Sequence, residues 1–204
     1  MKILLATSNR GKITEMKELL ADLDLEILTL ADDFPSLNPP DEGVLSFRFN
    51  ALGKAGFAAI STGVLAIADD SGLEVDALAG QPGVRSARYA RVGATDKENY
   101  TKLIKVLKDI PPGQRRARFR CVIGTATPNG RDERSFEGIL EGVITDSPRG
   151  SGGFGYDPIF EITGTEKTLA EMTSDEKNKI SHRGEALKEL KEYLKELLEE
   201  VQTS

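Results

Sequence analysis

The residues best suited to chemistry in this chain are Asp69 and Asp70, adjacent carboxylates that follow the apolar run 64–68 and precede Ser71 and Gly72. The run reads as a buried strand that stops at the acids. Ligands of α/β proteins sit outside the carboxyl ends of strands, so acids at that end are well placed. Neighbouring carboxylates repel, and both stay ionised near neutral pH only where a cation or donors offset them. A hard divalent ion such as Mg²⁺ does so with oxygen ligands and brings phosphates with it. An Asx-type turn closing the strand is the alternative that the same residues allow.

A second cluster opens the chain. Residues 3–6 read as a strand, and Thr7, Ser8, Asn9, Arg10 and Gly11 as a polar turn. Ile13, Met16, Leu19, Leu20 and Leu23 then recur at helical spacing. A strand therefore feeds hydroxyls, an amide and a glycine into a helix N-terminus, where free N–H groups favour an anion. Lys12, in the first turn, opposes the helix dipole, a cost that a bound phosphate would offset. The Walker A pattern is absent, and a plain capped turn also accounts for the segment.

Two further segments carry ligand-binding chemistry. Between Gly150 and Pro158 stand four glycines with Phe154, Tyr156 and Asp157. Glycines let backbone approach a ligand closely, and aromatic faces stack on a purine, although a flexible turn would look the same. Near the C-terminus come Lys177, the only histidine, His182, and Arg183. Ser181 reads as the N-cap of a helix whose stripe is Leu187, Leu190, Leu194, Leu197, Leu198 and Val201. His182 and Arg183 then sit in its first turn, where an anion is welcome. Asp41 and Glu42 end a Pro- and Gly-containing loop, 31–43, just before a helix over 46–60. Helix-end electrostatics alone explain acids there.

The elements that position these residues alternate. Strands are expected at 25–30 and 139–144, and at 116–121, where Arg116, Arg118 and Arg120 alternate with Ala117, Phe119 and Cys121. A helix is expected at 95–107. The pattern predicts an α/β class with a mixed sheet flanked by helices. A length of 204 residues suits one domain with two lobes. The net charge of −6 argues against a broad nucleic-acid surface. No apolar run is long enough to span a bilayer. The single cysteine, Cys121, excludes an internal disulfide and reads as a small core residue. The N-terminus runs directly into the first motif without a secretory signal, so a cytoplasmic location is expected.

Four blocks together resemble the inosine triphosphate pyrophosphatase family in its bacterial form. They are Thr7-Ser8-Asn9-Arg10-Gly11-Lys12-Ile13-Thr14-Glu15; Ala68-Asp69-Asp70-Ser71-Gly72-Leu73 with Pro82-Gly83-Val84-Arg85-Ser86-Ala87-Arg88-Tyr89; Gly152-Gly153-Phe154-Gly155-Tyr156-Asp157-Pro158; and Glu176-Lys177-Asn178-Lys179-Ile180-Ser181-His182-Arg183-Gly184. They occur in family order over nearly the whole chain. The resemblance implies a dimeric, elongated α/β fold with a cleft between two lobes. It also implies Mg²⁺-dependent hydrolysis of dITP, ITP and XTP to monophosphate and pyrophosphate, an activity that cleanses the nucleotide pool. By resemblance Thr7, Ser8, Asn9, Arg10, Gly11 and Lys12 hold the triphosphate. Asp70 is the proton acceptor and a metal ligand, and Ser71 contacts substrate. Phe154, Gly155, Tyr156, Asp157, Lys177, His182 and Arg183 bind the nucleotide, with the base near the last two.

The second helix departs from the family pattern, since Phe49 stands where a glutamate is usual. Glu42 is then the preferred second metal acid, with Asp41 and Asp69 as further candidates. Arg85 replaces a common aromatic. A hydrolase with other products, or a nucleotide-binding regulator without turnover, are the competing expectations.

Overall fold

Ile3 and Leu5 face one side of the first strand, Leu4 and Ala6 the other, and each pair joins a different apolar cluster. A strand buried on both faces must lie inside a sheet with helices above and below. That sheet belongs to a computed structural model that describes residues 1–40, 43, 45–130 and 132–202. Asp41 and Glu42, two of the expected metal ligands, lie outside the described residues. The six strands are β1 (Lys2–Leu5), β2 (Glu26–Thr29), β3 (Leu65–Val75), β4 (Arg116–Ala126), β5 (Glu133–Ile144) and β6 (Phe160–Ile162). Their order is β2-β1-β3-β4-β5-β6. β1 is parallel to both β2 and β3, while β5 and β6 are antiparallel, so the sheet is mixed as expected.

The helices are α1 (Arg10–Leu19), α2 (Leu30–Asp33), α3 (Phe47–Thr62), α4 (Asp96–Val106), α5 (Ser174–Ile180) and α6 (His182–Gln202). Their starts follow side-chain caps: Asn9, Ser46, Thr95 and Thr173 each accept an N–H of the following turn. α3 ends at Gly63, whose φ of 71° suits a left-handed cap.

The chain divides into two compact units. The first holds Met1–Asp70, Cys121–Gly138 and the chain from Arg183 onward. Its sheet carries one cluster on each face. Met16 and Leu20 pack with Ala186, Leu187, Leu190 and Leu194 of α6, and Cys121 lies among them. Ala55, Ala58 and Ala59 of α3 pack with Ala66, Ala68 and Ala126 on the other face. Alanines let α3 lie close, and Gly124 takes this furthest: a Cβ there would stand 2.7 Å from the Ala51 carbonyl carbon. The second unit, Ser71–Arg120 with Ile139–His182, has its own core of Leu73, Leu103, Leu107, Phe119, Phe160 and others. Each fully buried Leu or Phe contributes roughly 1.5–3 kcal/mol over leaving it exposed.

β3 departs from expectation in one consequential way. It does not stop at Asp69; it continues through Asp69-Asp70-Ser71-Gly72 to Val75. The acids did not terminate the strand because other parts of the fold supply partners for both.

Candidate active site

Alternation along β3 turns Asp69 and Asp70 to opposite faces of the sheet. Ile67, two residues before Asp69, packs in the cluster with α1 and α6, and Ala68, two before Asp70, in the cluster with α3. Each carboxylate meets what its face offers.

On the α1/α6 face, Lys12 Nζ stands 3.0 Å from Asp69 Oδ2, and Arg183 Nη2 donates to the same oxygen at 3.1 Å. Arg183 also pairs with Glu15 and is almost wholly buried. Burial works against its charge, but Asp69, Cys121 and Glu15 outweigh that, and its pKa lies above the ordinary guanidinium value. Asp69, a candidate metal ligand, thus has two cations beside it. Arg183, expected near the purine, spends donors on two carboxylates within the protein.

On the α3 face, Asn50 Nδ2 donates to Asp70 Oδ2 at 2.7 Å. Lys54 Nζ donates to the Asp69 carbonyl at 2.7 Å and stands 3.9 Å from Asp70 Oδ1. Asp70 is 3% exposed, so the donor and the cation stabilise its ionised form where water cannot. Asn50 and Lys54 escaped the sequence reading. They lie four residues apart, on one face of a helix whose stretch 47–59 is otherwise Ala, Gly, Leu and Phe with the single Arg48. Paired polar residues on such a face are the signal that could have found them. Phe49 is 59% exposed on the same helix, and its N–H caps onto Ser46 Oγ.

The strand register brings the opening loop level with these acids. Leu5 pairs with Ile67, and the Ala6 N–H donates to the Ile67 carbonyl, where β1 ends. β3 runs on past that point, and Lys12, in the first turn of the helix after the loop, reaches back to Asp69. The loop turns sharply there. The Asn9 N–H donates to Thr7 Oγ1 at 3.3 Å, and Asn9 Oδ1 accepts the Lys12 N–H at 3.2 Å. No acid occupies the first turn of α1, and Ser8, Asn9 and Arg10 are exposed. A helix N-terminus at the carboxyl end of a parallel strand is where anions dock.

The second unit gathers the remaining candidates. Asp157 Oδ2 accepts from the Phe154 N–H at 2.9 Å and from Lys177 Nζ at 2.8 Å. Lys177 Nζ also stands 4.6 Å from the centre of the Phe154 ring. Gly153 must be glycine: its φ is 70°, and a Cβ would fall 2.0 Å from Asp157 Oδ2. The Gly155 N–H donates to Asp96 Oδ2 at 2.7 Å, and Tyr156 Oη to the Ser86 carbonyl at 2.8 Å. Burial pushes the Tyr156 phenol well above its usual pKa, so it stays a donor. His182 stacks on Phe119, ring centres 4.8 Å apart and planes within 8°. Phe119 is wedged in turn against Phe160 at 4.6 Å. The segment 154–157, Lys177 and His182 therefore sit on a scaffold that includes Asp96, Ser86 and Phe119. Ser71 follows Asp70 directly on β3 and is half-buried.

Among the described residues, no group of three or more His, Cys, Asp or Glu side chains could hold a metal. Asp70 still fits Mg²⁺, which keeps several waters and takes one or two protein carboxylates beside substrate phosphates.

Comparison with known proteins gives a consistent result. A model of the Ham1 family matches residues 3–193. A dITP/XTP pyrophosphatase of Desulforamulus reducens is 48% identical, over 97% of this chain and 97% of the relative. One of Thermus thermophilus is 50% identical, over 96% and 93%. The solved structure of a HAM1 protein from Coxiella burnetii superposes with a TM-score of 0.87 at 42% identity, covering 96% of this chain and 99% of that one.

Proposed function

The chain belongs to the Ham1 family, and from that premise we propose that it hydrolyses dITP, ITP and XTP to the monophosphate and pyrophosphate. It is an enzyme that cuts a phosphoanhydride bond, as its relatives' names say of them. The observation that carries the reading is the buried Asp70, held by Asn50 and Lys54, directly after Asp69, which Lys12 reaches from the anion-receptive start of α1.

In this reading the N-terminus of α1, with Thr7, Ser8, Asn9, Arg10 and Gly11, receives the phosphate tail. Lys12 has three N–H donors, so it can meet a phosphate oxygen while staying near Asp69. Asp70 accepts a proton from the water that attacks the α-phosphorus, and pyrophosphate leaves. Asp70, with Glu42 or Asp41, would hold Mg²⁺, whose charge offsets that developing on the phosphate oxygens. Ser71 contacts substrate beside Asp70. Phe154 and Tyr156 flank the purine, and Lys177, Asp157 and His182 fix it. Arg183 acts chiefly by holding Asp69 and Glu15 at the start of α6. Base selection then falls to donors facing the C6 oxygen, His182 and backbone N–H groups. Adenine, with an amino group there, leaves such donors unpaired, and discrimination of about 10⁴-fold is within their reach.

The assembly we propose is a homodimer acting on cytoplasmic nucleotides. Its support in this chain is the exposed apolar set Phe49, Phe57 and Ile60 along α3. A steady-state panel of ITP, XTP, dITP, GTP and ATP, with and without Mg²⁺ and with products identified, tests the whole reading. Monophosphate plus pyrophosphate from the oxopurine nucleotides is expected; diphosphate plus phosphate contradicts it.

A further inference from the structure

The second unit carries a cavity of about 530 Å³ built from none of the residues assigned to the substrate. The turn 79–85, Arg88, Tyr89 and Lys102 of α4 line it. That volume is in the range that holds small ligands. Arg85, Arg88 and Lys102 bring three cations to its wall, and no lining residue is acidic. Like charges gathered on one wall repel one another, and an anion seated among them relieves that.

The wall is fixed in place. Ser86 Oγ accepts the Leu73 N–H at 2.9 Å and donates to the Gly83 carbonyl at 2.6 Å, which pins the turn. Lys102 Nζ donates to the Tyr89 carbonyl at 2.5 Å and lies 4.3 Å from the Tyr89 ring centre. An ammonium has three donors, so this anchoring leaves N–H groups for a ligand. Arg85 is exposed and, among the described residues, makes no ion pair. Lys102 also borders a neighbouring hollow lined by Arg91, Lys97 and Lys105. The acid lining that hollow, Glu98, is taken by Arg91 and the Thr95 N–H.

We propose that this cavity is a second anion site that takes a small oligophosphate, either inorganic or the phosphate tail of a nucleotide. Guanidinium forks bind phosphate oxygens in pairs, and an ammonium adds a point charge. A linear oligophosphate matches the exposed Arg85 and the remaining N–H groups of Lys102, with Arg88 beside them.

The test is a titration of sodium tripolyphosphate into the ¹⁵N-labelled full chain in magnesium-free buffer, followed by amide shifts. Saturable shifts at residues 79–89 and Lys102 are expected, with a midpoint below about 1 mM that weakens as salt rises. Arg85→Glu alone, and Arg85→Ala with Lys102→Ala, should raise that midpoint about ten-fold or more. For Arg85→Glu the melting temperature and the separate shifts at Thr7–Lys12 should not change, so failure here is distinguishable from failure of the proposed function. Equal midpoints for ATP and tripolyphosphate mean that only the phosphate tail is read; a tighter ATP midpoint means that Tyr89 reads the base. No saturable shift at 79–89 up to about 10 mM would overturn the proposal. So would variants that bind like wild type, or a single-stranded oligonucleotide that displaces tripolyphosphate at lower concentration.

Discussion

Asp70 and Asp69 are neighbours in sequence with different duties, and substitution should separate them. Asp70→Asn keeps the side-chain shape, and Lys54 keeps its bond to the Asp69 carbonyl, but a proton acceptor is removed. A loss of about 10²- to 10⁴-fold in kcat is expected with little change in melting temperature. Arg183→Met should do the reverse of a clean activity loss. It leaves Asp69 and Glu15 without a buried cation that both use, a change costing about 3–5 kcal/mol. Chemical denaturation would register it as a large drop in midpoint; an unchanged midpoint would deny Arg183 its anchoring role. Phe119→Leu tests the stacked histidine. KM for ITP should rise more than kcat falls, because the His182 ring loses the surface that sets its plane. Equal changes in both would mean that Phe119 matters for stability alone.

At the scale of elements, the close approach of α3 to β4 governs where Asn50 and Lys54 stand. Gly124→Ala forces a Cβ against the Ala51 and Leu52 backbone, so α3 must move, at about 1–3 kcal/mol. Turnover should fall with stability, since α3 carries both partners of Asp70 and its carbonyl neighbour; full activity in a destabilised variant would contradict this. Much of the element pattern was legible locally. The helices expected at 46–60 and 95–107 form as Phe47–Thr62 and Asp96–Val106, and Ser46 and Thr95 cap them by chemistry that acts over three residues. The end of β3 was not legible. Two acids after an apolar run look like a terminator until the chain supplies partners from 15 to 114 residues away. Long-range ion pairing leaves no local trace, and for the same reason Glu15 and Arg183 gave no sign of sharing one buried network.

At the scale of the molecule, pH reports how the fold is held. Tyr193 Oη donates to Asp132, and burial with that bond pushes its pKa up to about 12 from the ordinary 10.0. The unfolded chain loses this proton first. The contribution is therefore complete below about pH 10 and lost as pH rises toward about 12. Thermal melts across that window should show a steeper fall for wild type than for Tyr193→Phe; parallel slopes would remove Tyr193 from the account. Among the described residues no helix is long and apolar enough to cross a membrane. The central claim is that water, activated by Asp70, attacks the α-phosphorus. Hydrolysis of ITP in ¹⁸O-water followed by mass spectrometry of both products tests it most directly. Label is expected in inosine monophosphate and none in pyrophosphate; label in the pyrophosphate would contradict attack at the α-phosphorus.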